Sequence, residues 1–253
     1  MHFCIVIYFH KKIFSFGKAY TATLRLGIVT DTEDITGEVL SRFEGELPTH
    51  AEVESVVEKF LGKTMQVPPM YSALKVNGQK LYDLARQGVT VERAAREIEI
   101  FSIDCKPTDV PGDYTLAVEC TGGTYIRTLC ADIGAALGCG GAMAALRRDE
   151  ACGISLDETY TLEDVEQMSE DERHNSLLPT ERLFSDMREV DLPQFFEKLF
   201  RDGCPIYQSK IRADIPVGER VRICNTSGEF FALGESCEID GERVIKSIKI
   251  FKL

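Results

Sequence analysis

The sequence predicts an α+β fold: a mixed, largely antiparallel sheet with flanking helices, followed by a smaller β-rich C-terminal part. Three observations carry this. Segments with period-2 alternation and segments with helical periodicity interleave, but without the strict βαβ order of a parallel sheet. The texture changes near residue 205 to short β-type runs separated by Gly218, Gly228, Gly234 and Asp240-Gly241, as in a small barrel or sandwich. The chain has 253 residues, of which 44% are hydrophobic, enough for one large core or two unequal ones.

Taken in order, Tyr20, Ala22, Leu24 and Leu26 alternate with Thr21, Thr23 and Arg25, a strand with one buried face. Residues 49 to 61 read as a helix: Thr49 and Glu52 have capping-box spacing, Val53, Val56, Val57, Phe60 and Leu61 form the apolar stripe, and Gly62 can end it. Pro68-Pro69 imposes an extended stretch, and Asn77-Gly78 is a turn signal. A short helix runs from Leu81 to Arg86 and stops near Gly88, and Ile98 and Ile100 lie on a further strand. Tyr114, Leu116, Val118 and Cys120 mark another. After Gly122-Gly123, Ile126, Leu129, Ile133 and Leu137 recur at helical spacing up to Gly138, a ready C-terminal cap. Residues 155 to 200 are charged and helical, with Thr161 and Asp164 as a start signal. No internal repeat or low-complexity tract occurs.

Gly123-Thr124-Tyr125-Ile126-Arg127 therefore falls where a strand ends and a helix begins. A helix N-terminus presents free N–H groups and a positive dipole end, so it disfavours a cation without a partner. An Arg there suggests a carboxylate or phosphate held by its planar fork.

The spelling of this run and of four others is distinctive. They are Lys18-Ala19-Tyr20 through Leu26-Gly27 with Thr30-Asp31-Thr32-Glu33-Asp34 and Gly37; Pro68-Pro69-Met70-Tyr71-Ser72-Ala73-Leu74-Lys75; Asn77-Gly78-Gln79-Lys80-Leu81-Tyr82 with Ala85-Arg86-Gln87-Gly88; and Leu146-Arg147-Arg148. In this order and spacing the chain resembles the bacterial tRNA pseudouridine synthase B family, over about residues 18 to 250. The resemblance implies a pseudouridine synthase catalytic domain at 18–180 and a PUA-like RNA-binding domain at 181–253, after an atypical N-terminus at 1–17. It implies isomerisation of the T-loop uridine at tRNA position 55, with no cofactor and no metal. It also implies a preceding Gly-His-x-Gly-x-Leu-Asp-Pro segment that carries the catalytic Asp. The stretch MHFCIVIYFHKKIFSFG does not match that segment, so the 253 residues are expected to hold no counterpart of this Asp, to be inactive or nearly so, and to expose unpaired sheet edges.

Making pseudouridine breaks a C1′–N1 bond, turns the base and rejoins it through C5. The site needs a carboxylate, a group that fixes it, a platform for the extruded base and an acceptor for the C5 proton. The resemblance gives Arg127 the role of pairing with the catalytic Asp, Tyr20 that of stacking on the flipped base and taking the C5 proton, Tyr125 a place in the pocket wall and Leu146 a contact with the uridine. Without it, Tyr20 and Tyr125 read as core aromatics and Leu146 as a plain strand residue. Lys75, Lys80, Arg86, Arg147 and Arg148 are candidate phosphate contacts, each otherwise a solvated surface charge. Asp31, Glu33 and Asp34 read as turn and cap chemistry. Arg127 is expected to stand without its acidic partner.

The net charge of −12 argues against a general polyanion binder but permits a local basic groove. That leaves a catalytically inactive tRNA-binding or folding module, and an acidic domain with no nucleic-acid partner, as alternatives. Nine cysteines without a C-x-x-C pair fit neither zinc site nor disulfide framework, and read as small buried hydrophobes in a reducing cytosol. Phe3 to Phe9 is too short for a signal peptide or a membrane span, so a cytoplasmic monomer that binds tRNA is the expectation.

Overall fold

The computed structural model describes residues 17–76 and 78–251, which divide into two compact units meeting at Gln167 and Met168. In the first, β1 (Lys18–Leu26) is followed by a hairpin of β2 (Ile28–Thr30) and β3 (Val39–Arg42), helix α1 (His50–Val57) with one 3₁₀ turn, and β4 (Gly62–Gln66). Then come the small pair β5 (Lys75–Val76) and β6 (Gln79–Lys80), α2 (Leu81–Arg86), β7 (Arg96–Pro107), β8 (Asp113–Cys120), α3 (Ile126–Ala136), β9 (Gly141–Ala151), β10 (Ile154–Ser155) and α4 (Leu162–Gln167). The main sheet has the order β10-β9-β1-β8-β7-β4, with every neighbouring pair antiparallel.

Why these segments pair this way follows from their alternation. Ala22, Leu24 and Leu26 of β1 and Leu116, Val118 and Cys120 of β8 point to one face, where they meet Ile126, Leu129, Cys130 and Ile133 of α3 and Val53 and Val57 of α1. Each such aliphatic side chain contributes roughly 1.5–3 kcal/mol on burial. The Thr49–Glu52 capping box forms: the Glu52 carboxylate accepts from the Thr49 N–H at 2.8 Å and hydroxyl at 2.7 Å. The expected stripe is cut short, because the helix ends before Leu61, which is exposed. Asn77 lies outside the described residues; Gly78 beside it has φ +84.

Two bulges in β9 matter for the site. Ala19 pairs with Glu150 but Tyr20 with Arg148, and Thr23 pairs with Ala145 but Leu24 with Met143, so Asp149 and Ala144 are extra residues. The shifts set Arg148 directly across from Tyr20, and Leu146 across from Ala22.

The second unit holds α5 (Glu170–Asn175), a 3₁₀ turn at Thr180–Phe184, β11 (Arg188–Leu192), α6 (Gln194–Arg201), β12 (Ile206–Tyr207), α7 (Gln208–Ile211), β13 (Arg220–Asn225), β14 (Phe230–Ile239) and β15 (Glu242–Ile250). Its five strands are ordered β11-β13-β14-β15-β12 around a core of Leu192, Phe200, Ile215, Val221, Ile223 and Ile245. β11 pairs parallel with β13, and its sequence lies within the stretch read as helical. Three of its five residues are charged, and it is too short for its alternation to stand out. Of the cysteines, Cys105, Cys120, Cys130, Cys139 and Cys224 are buried as expected, Cys152 and Cys237 are partly so, Cys204 is exposed, and Cys4 lies outside the described residues.

Helix α3 sits very close to the start of β9. A Cβ on Gly134 would lie 2.1 Å from the Gly141 backbone nitrogen, and one on Gly141 would lie 2.7 Å from the Cys130 carbonyl oxygen. In an exposed helix, Gly→Ala stabilises by up to about 1 kcal/mol. Here the clash is with backbone that cannot step aside. Gly134→Ala should therefore destabilise the chain by about 3 kcal/mol, the upper end of core overpacking, measured by urea unfolding.

Candidate functional site

Tyr125 is the N-cap residue of α3, and its backbone is gripped from below. The Tyr125 N–H donates to the Gln66 side-chain oxygen at 2.8 Å, and the Gln66 amide nitrogen donates to the Tyr125 carbonyl at 3.1 Å. Gln66, at the end of β4, is almost fully buried. Gly123 supplies the φ of +100 that turns the chain from strand to helix. The run read from the sequence as a strand-to-helix junction is one, and Gln66 is what fixes it in place.

Two residues later comes Arg127, in the first turn of α3, where no acidic residue of the helix itself is present. Its Nη1 lies 3.1 Å from Asp34 Oδ2, and its Nη2 donates to the Tyr71 carbonyl at 2.8 Å. Both side chains are mostly covered, at 25% and 16% exposure. The expectation of a guanidinium without an acidic partner is thus corrected: Asp34 holds it. The reason is electrostatic. A cation at a helix N-terminus is disfavoured, and a carboxylate brought from another part of the chain reverses the sign of the local field. Two of the five guanidinium N–H donors are used in these bonds, so the fork retains capacity for a second anion.

The Asp34 carboxylate is itself heavily bonded. Its other oxygen accepts from the Thr32 hydroxyl at 3.0 Å, the Thr36 N–H at 3.0 Å and the Thr36 hydroxyl at 2.5 Å. Burial alone would raise its pKa. The Thr36 side chain and backbone, Thr32 and Arg127 outweigh that and hold the group below the ordinary carboxylate range. The turn chemistry expected of Asp31, Glu33 and Asp34 is therefore present in Asp34, and the same residue also forms the ion pair. Asp31 accepts from the Glu38 N–H at 2.7 Å and from the Tyr71 hydroxyl at 3.3 Å.

Tyr20 packs partly buried against the main core, to which Ile126 and Leu129 of α3 belong. Burial first, and the nearby Cys120 thiol second, raise the Tyr20 pKa, against the opposing pull of the Arg148 guanidinium beside it. The phenol is accordingly protonated at neutral pH, a stacking surface and hydrogen-bonding group rather than an anion. Leu146, two residues before Arg148 on β9, is 45% exposed, which leaves an apolar side chain open beside this pair. Tyr20, Arg148 and Leu146 are thus assembled on adjacent strands.

Arg147 belongs elsewhere. It pairs with Asp149, which also accepts from the Thr21 hydroxyl, so it lies on the sheet face that Thr21 presents, away from Tyr20. Lys75 and Lys80 stand directly opposite each other on β5 and β6. Like charges so placed repel. Lys80 donates to the Tyr82 hydroxyl at 2.8 Å, and Lys80 and Arg86 lie 5.1 and 5.5 Å from the Tyr82 ring centre. This basic–aromatic cluster is of the kind that accepts phosphates. Gln66, Asp34 and the Tyr71 carbonyl were not among the sequence-derived site residues, since no local pattern ties position 34, 66 or 71 to position 127.

One group among the described residues has metal-like spacing, Glu189, Asp191 and Cys224 in the second unit. Glu189 is ion-paired with Arg222, and burial pushes the Cys224 thiol up to about 11, so this is an ion pair beside a neutral thiol.

Comparison with known proteins decides the family. Residues 9–126 match the N-terminal domain of the TruB family pseudouridylate synthases, and residues 127–185 match the tRNA pseudouridylate synthase B C-terminal domain. The tRNA pseudouridine synthase B of Ralstonia nicotianae is 41% identical over 224 residues, covering 87% of this chain and 70% of that protein. This chain belongs to the TruB family. The Clostridium tetani tRNA pseudouridine synthase B is 33% identical over 90% of the chain and 77% of that protein, and the Dechloromonas aromatica protein of the same name is 43% identical over 78% and 66%. Among solved structures, a Cbf5-Nop10-Gar1 complex aligns with TM-score 0.67 at 23% identity over 94% of this chain and 66% of that one. An H/ACA RNP bound to a substrate RNA containing 2′-deoxyuridine aligns with TM-score 0.66 at 20% identity, over 96% and 68%. At these identities the structures establish a shared α+β fold. By family the protein is a pseudouridine synthase, an isomerase, and the boundary between the two matched domains falls at Ile126 and Arg127.

The lowered Asp34 pKa sets the sign of a pH-dependent contribution to stability in this TruB-family protein. Stability contributed by Asp34 is fully present above the ordinary carboxylate pKa and is lost as pH falls through its lower folded value. In pH-dependent urea unfolding, Asp34→Asn should be less stable than the parent at neutral pH. The gap should close as the solution is acidified; a constant gap from neutral to strongly acid pH would contradict it.

Proposed function

We propose that this chain recognises the T stem-loop of tRNA around the uridine at position 55, and that its first unit is the scaffold on which that uridine is isomerised to pseudouridine. Supporting the reading is one observation above the others: the Arg127 fork is fixed on one side by Asp34 and Tyr71 and keeps N–H donors for a second carboxylate. On this reading that carboxylate is the family's catalytic Asp, carried on the Gly-His-x-Gly-x-Leu-Asp-Pro segment, and it is not among the 253 residues. Arg127 orients it at the sugar. Tyr20 stacks on the extruded base and takes the C5 proton, with Tyr125 and Leu146 completing the pocket wall. Flipping costs a few kcal/mol, offset in part by stacking on Tyr20.

Lys75, Lys80, Arg86 and Arg148 then contact phosphates, and an anion between Lys75 and Lys80 would relieve their mutual repulsion. The catalytic part is taken as 18–180 and the C-terminal part, 181–253, as a PUA-like RNA-binding domain. No cofactor or metal enters the chemistry. No helix among the described residues is long and apolar enough to cross a membrane. A cytoplasmic monomer fits the proposal.

The test is one titration and one assay. The chain should bind an unmodified T stem-loop, and Lys75→Ala should lower the salt slope by about one unit. Release of tritium from 5-tritiated uridine should be near zero, and should rise when a Gly-His-x-Gly-x-Leu-Asp-Pro segment is joined ahead of Lys18. Full turnover by the 253 residues alone would refute the assignment of the carboxylate. Absence of binding at low salt would refute the tRNA reading, whereas binding without turnover even after the graft would point to a binding or folding module.

A further inference from the structure

Glu33 is the residue next to Asp34 and has no role in the chemistry described above. Its backbone is left-handed, with φ +63, a conformation that Gly, Asn and Asp adopt readily and Glu does not. Its carboxylate accepts from the hydroxyl of Thr128 at 2.5 Å, and Thr128, next to Arg127 in the first turn of α3, is buried. Its carbonyl accepts from the Met143 N–H at 2.9 Å, and the Ile35 N–H donates to the Met143 carbonyl at 3.0 Å, so the turn is bridged to β9 as well. Consecutive acidic residues, 33 and 34, thus grip consecutive helix residues, 128 and 127. A Glu held in an unfavourable backbone region needs a side-chain reason, and Thr128 supplies one.

We propose that Glu33 is a positioning residue for Arg127: its carboxylate, anchored on Thr128, locks the acidic turn in the register that lays Asp34 on the guanidinium. The groups facing it fit an anchor. Burial raises the Glu33 pKa, the Thr128 bond lowers it, the nearby Asp132 raises it, and Arg127 and Arg93 lower it, with a net upward shift. Asp132 is itself raised by burial. Placing a carboxyl among these groups, in a strained turn, serves no purpose that a glycine could not serve better unless the carboxyl itself is needed. The inference rests on the tRNA reading only for what Arg127 means; the coupling between the two residues is read without RNA or turnover.

The experiment follows water exchange of the Arg127 side-chain N–H groups by NMR, with the signals assigned through Arg127→Lys. Glu33→Gly relaxes the backbone but removes the anchor, and should accelerate that exchange by about tenfold, the equivalent of one lost hydrogen bond. Glu33→Gln keeps an acceptor for Thr128 and should stay within about twofold of the parent. Unchanged exchange in Glu33→Gly, or equal acceleration in both variants, would overturn the proposal. Should the Glu33 variants not fold, Thr128→Val against Thr128→Ser makes the same comparison from the other partner: Val should accelerate exchange, Ser should not, and equal behaviour would overturn it.

Discussion

A guanidinium placed at the N-terminus of a helix is the constraint from which the rest of the site follows. Left to itself, Arg127 would face a positive dipole end inside a half-covered site. The chain meets this by bringing in Asp34 from a turn 93 positions away, and by adding the Tyr71 carbonyl. Everything that keeps those three groups in place then becomes necessary. Gln66 sets the cap residue, Gly134 and Gly141 let α3 settle onto β9, and the Met143 bridge ties the turn to the same strand. The ion pair is partly buried, so its value lies in fixing geometry more than in adding stability.

A second constraint works alongside the first. The two β9 bulges decide which side chains meet Tyr20. Without the bulge at Asp149, the register set by Ala19 and Glu150 would place Asp149 across from Tyr20 and turn Arg148 to the opposite face, across from Thr21. The two adjacent arginines face opposite sides of the sheet, Arg148 toward Tyr20 and Arg147 on Asp149, as the alternation of a strand requires. The net charge of −12 is compatible with all of this. Lys75, Lys80, Arg86 and Arg148 stand on β5, β6, α2 and β9, and a local field of this kind does not depend on the net charge.

Much of the fold was legible. The alternation of Tyr20 to Leu26 and Tyr114 to Cys120, the period from Ile126 to Leu137 and the Thr49–Glu52 cap are local signals, and the elements stand where those signals put them. Strand β11 was not legible, because a five-residue strand with three charged residues carries too little pattern and owes its existence to β13. Leu61 was assigned to a stripe that the helix does not reach. At the site, the strand-to-helix junction and its Arg could be read from spacing. The partner of that Arg could not, since an acidic turn announces its own backbone chemistry and says nothing about a contact across the fold. The bulges escaped for a related reason: an extra residue in a strand leaves no mark until its partner strand is known.

The central claim is that Asp34 and Arg127 act on each other. A double-mutant cycle tests it most directly: unfolding free energies of the parent, Asp34→Asn, Arg127→Met and the double variant, measured in urea at neutral pH and low salt. A direct, partly buried pair should give a coupling of about 1 kcal/mol or more, shrinking as the solution is acidified and Asp34 is protonated. Additivity within about 0.3 kcal/mol would show that the two side chains do not interact, and would contradict the account.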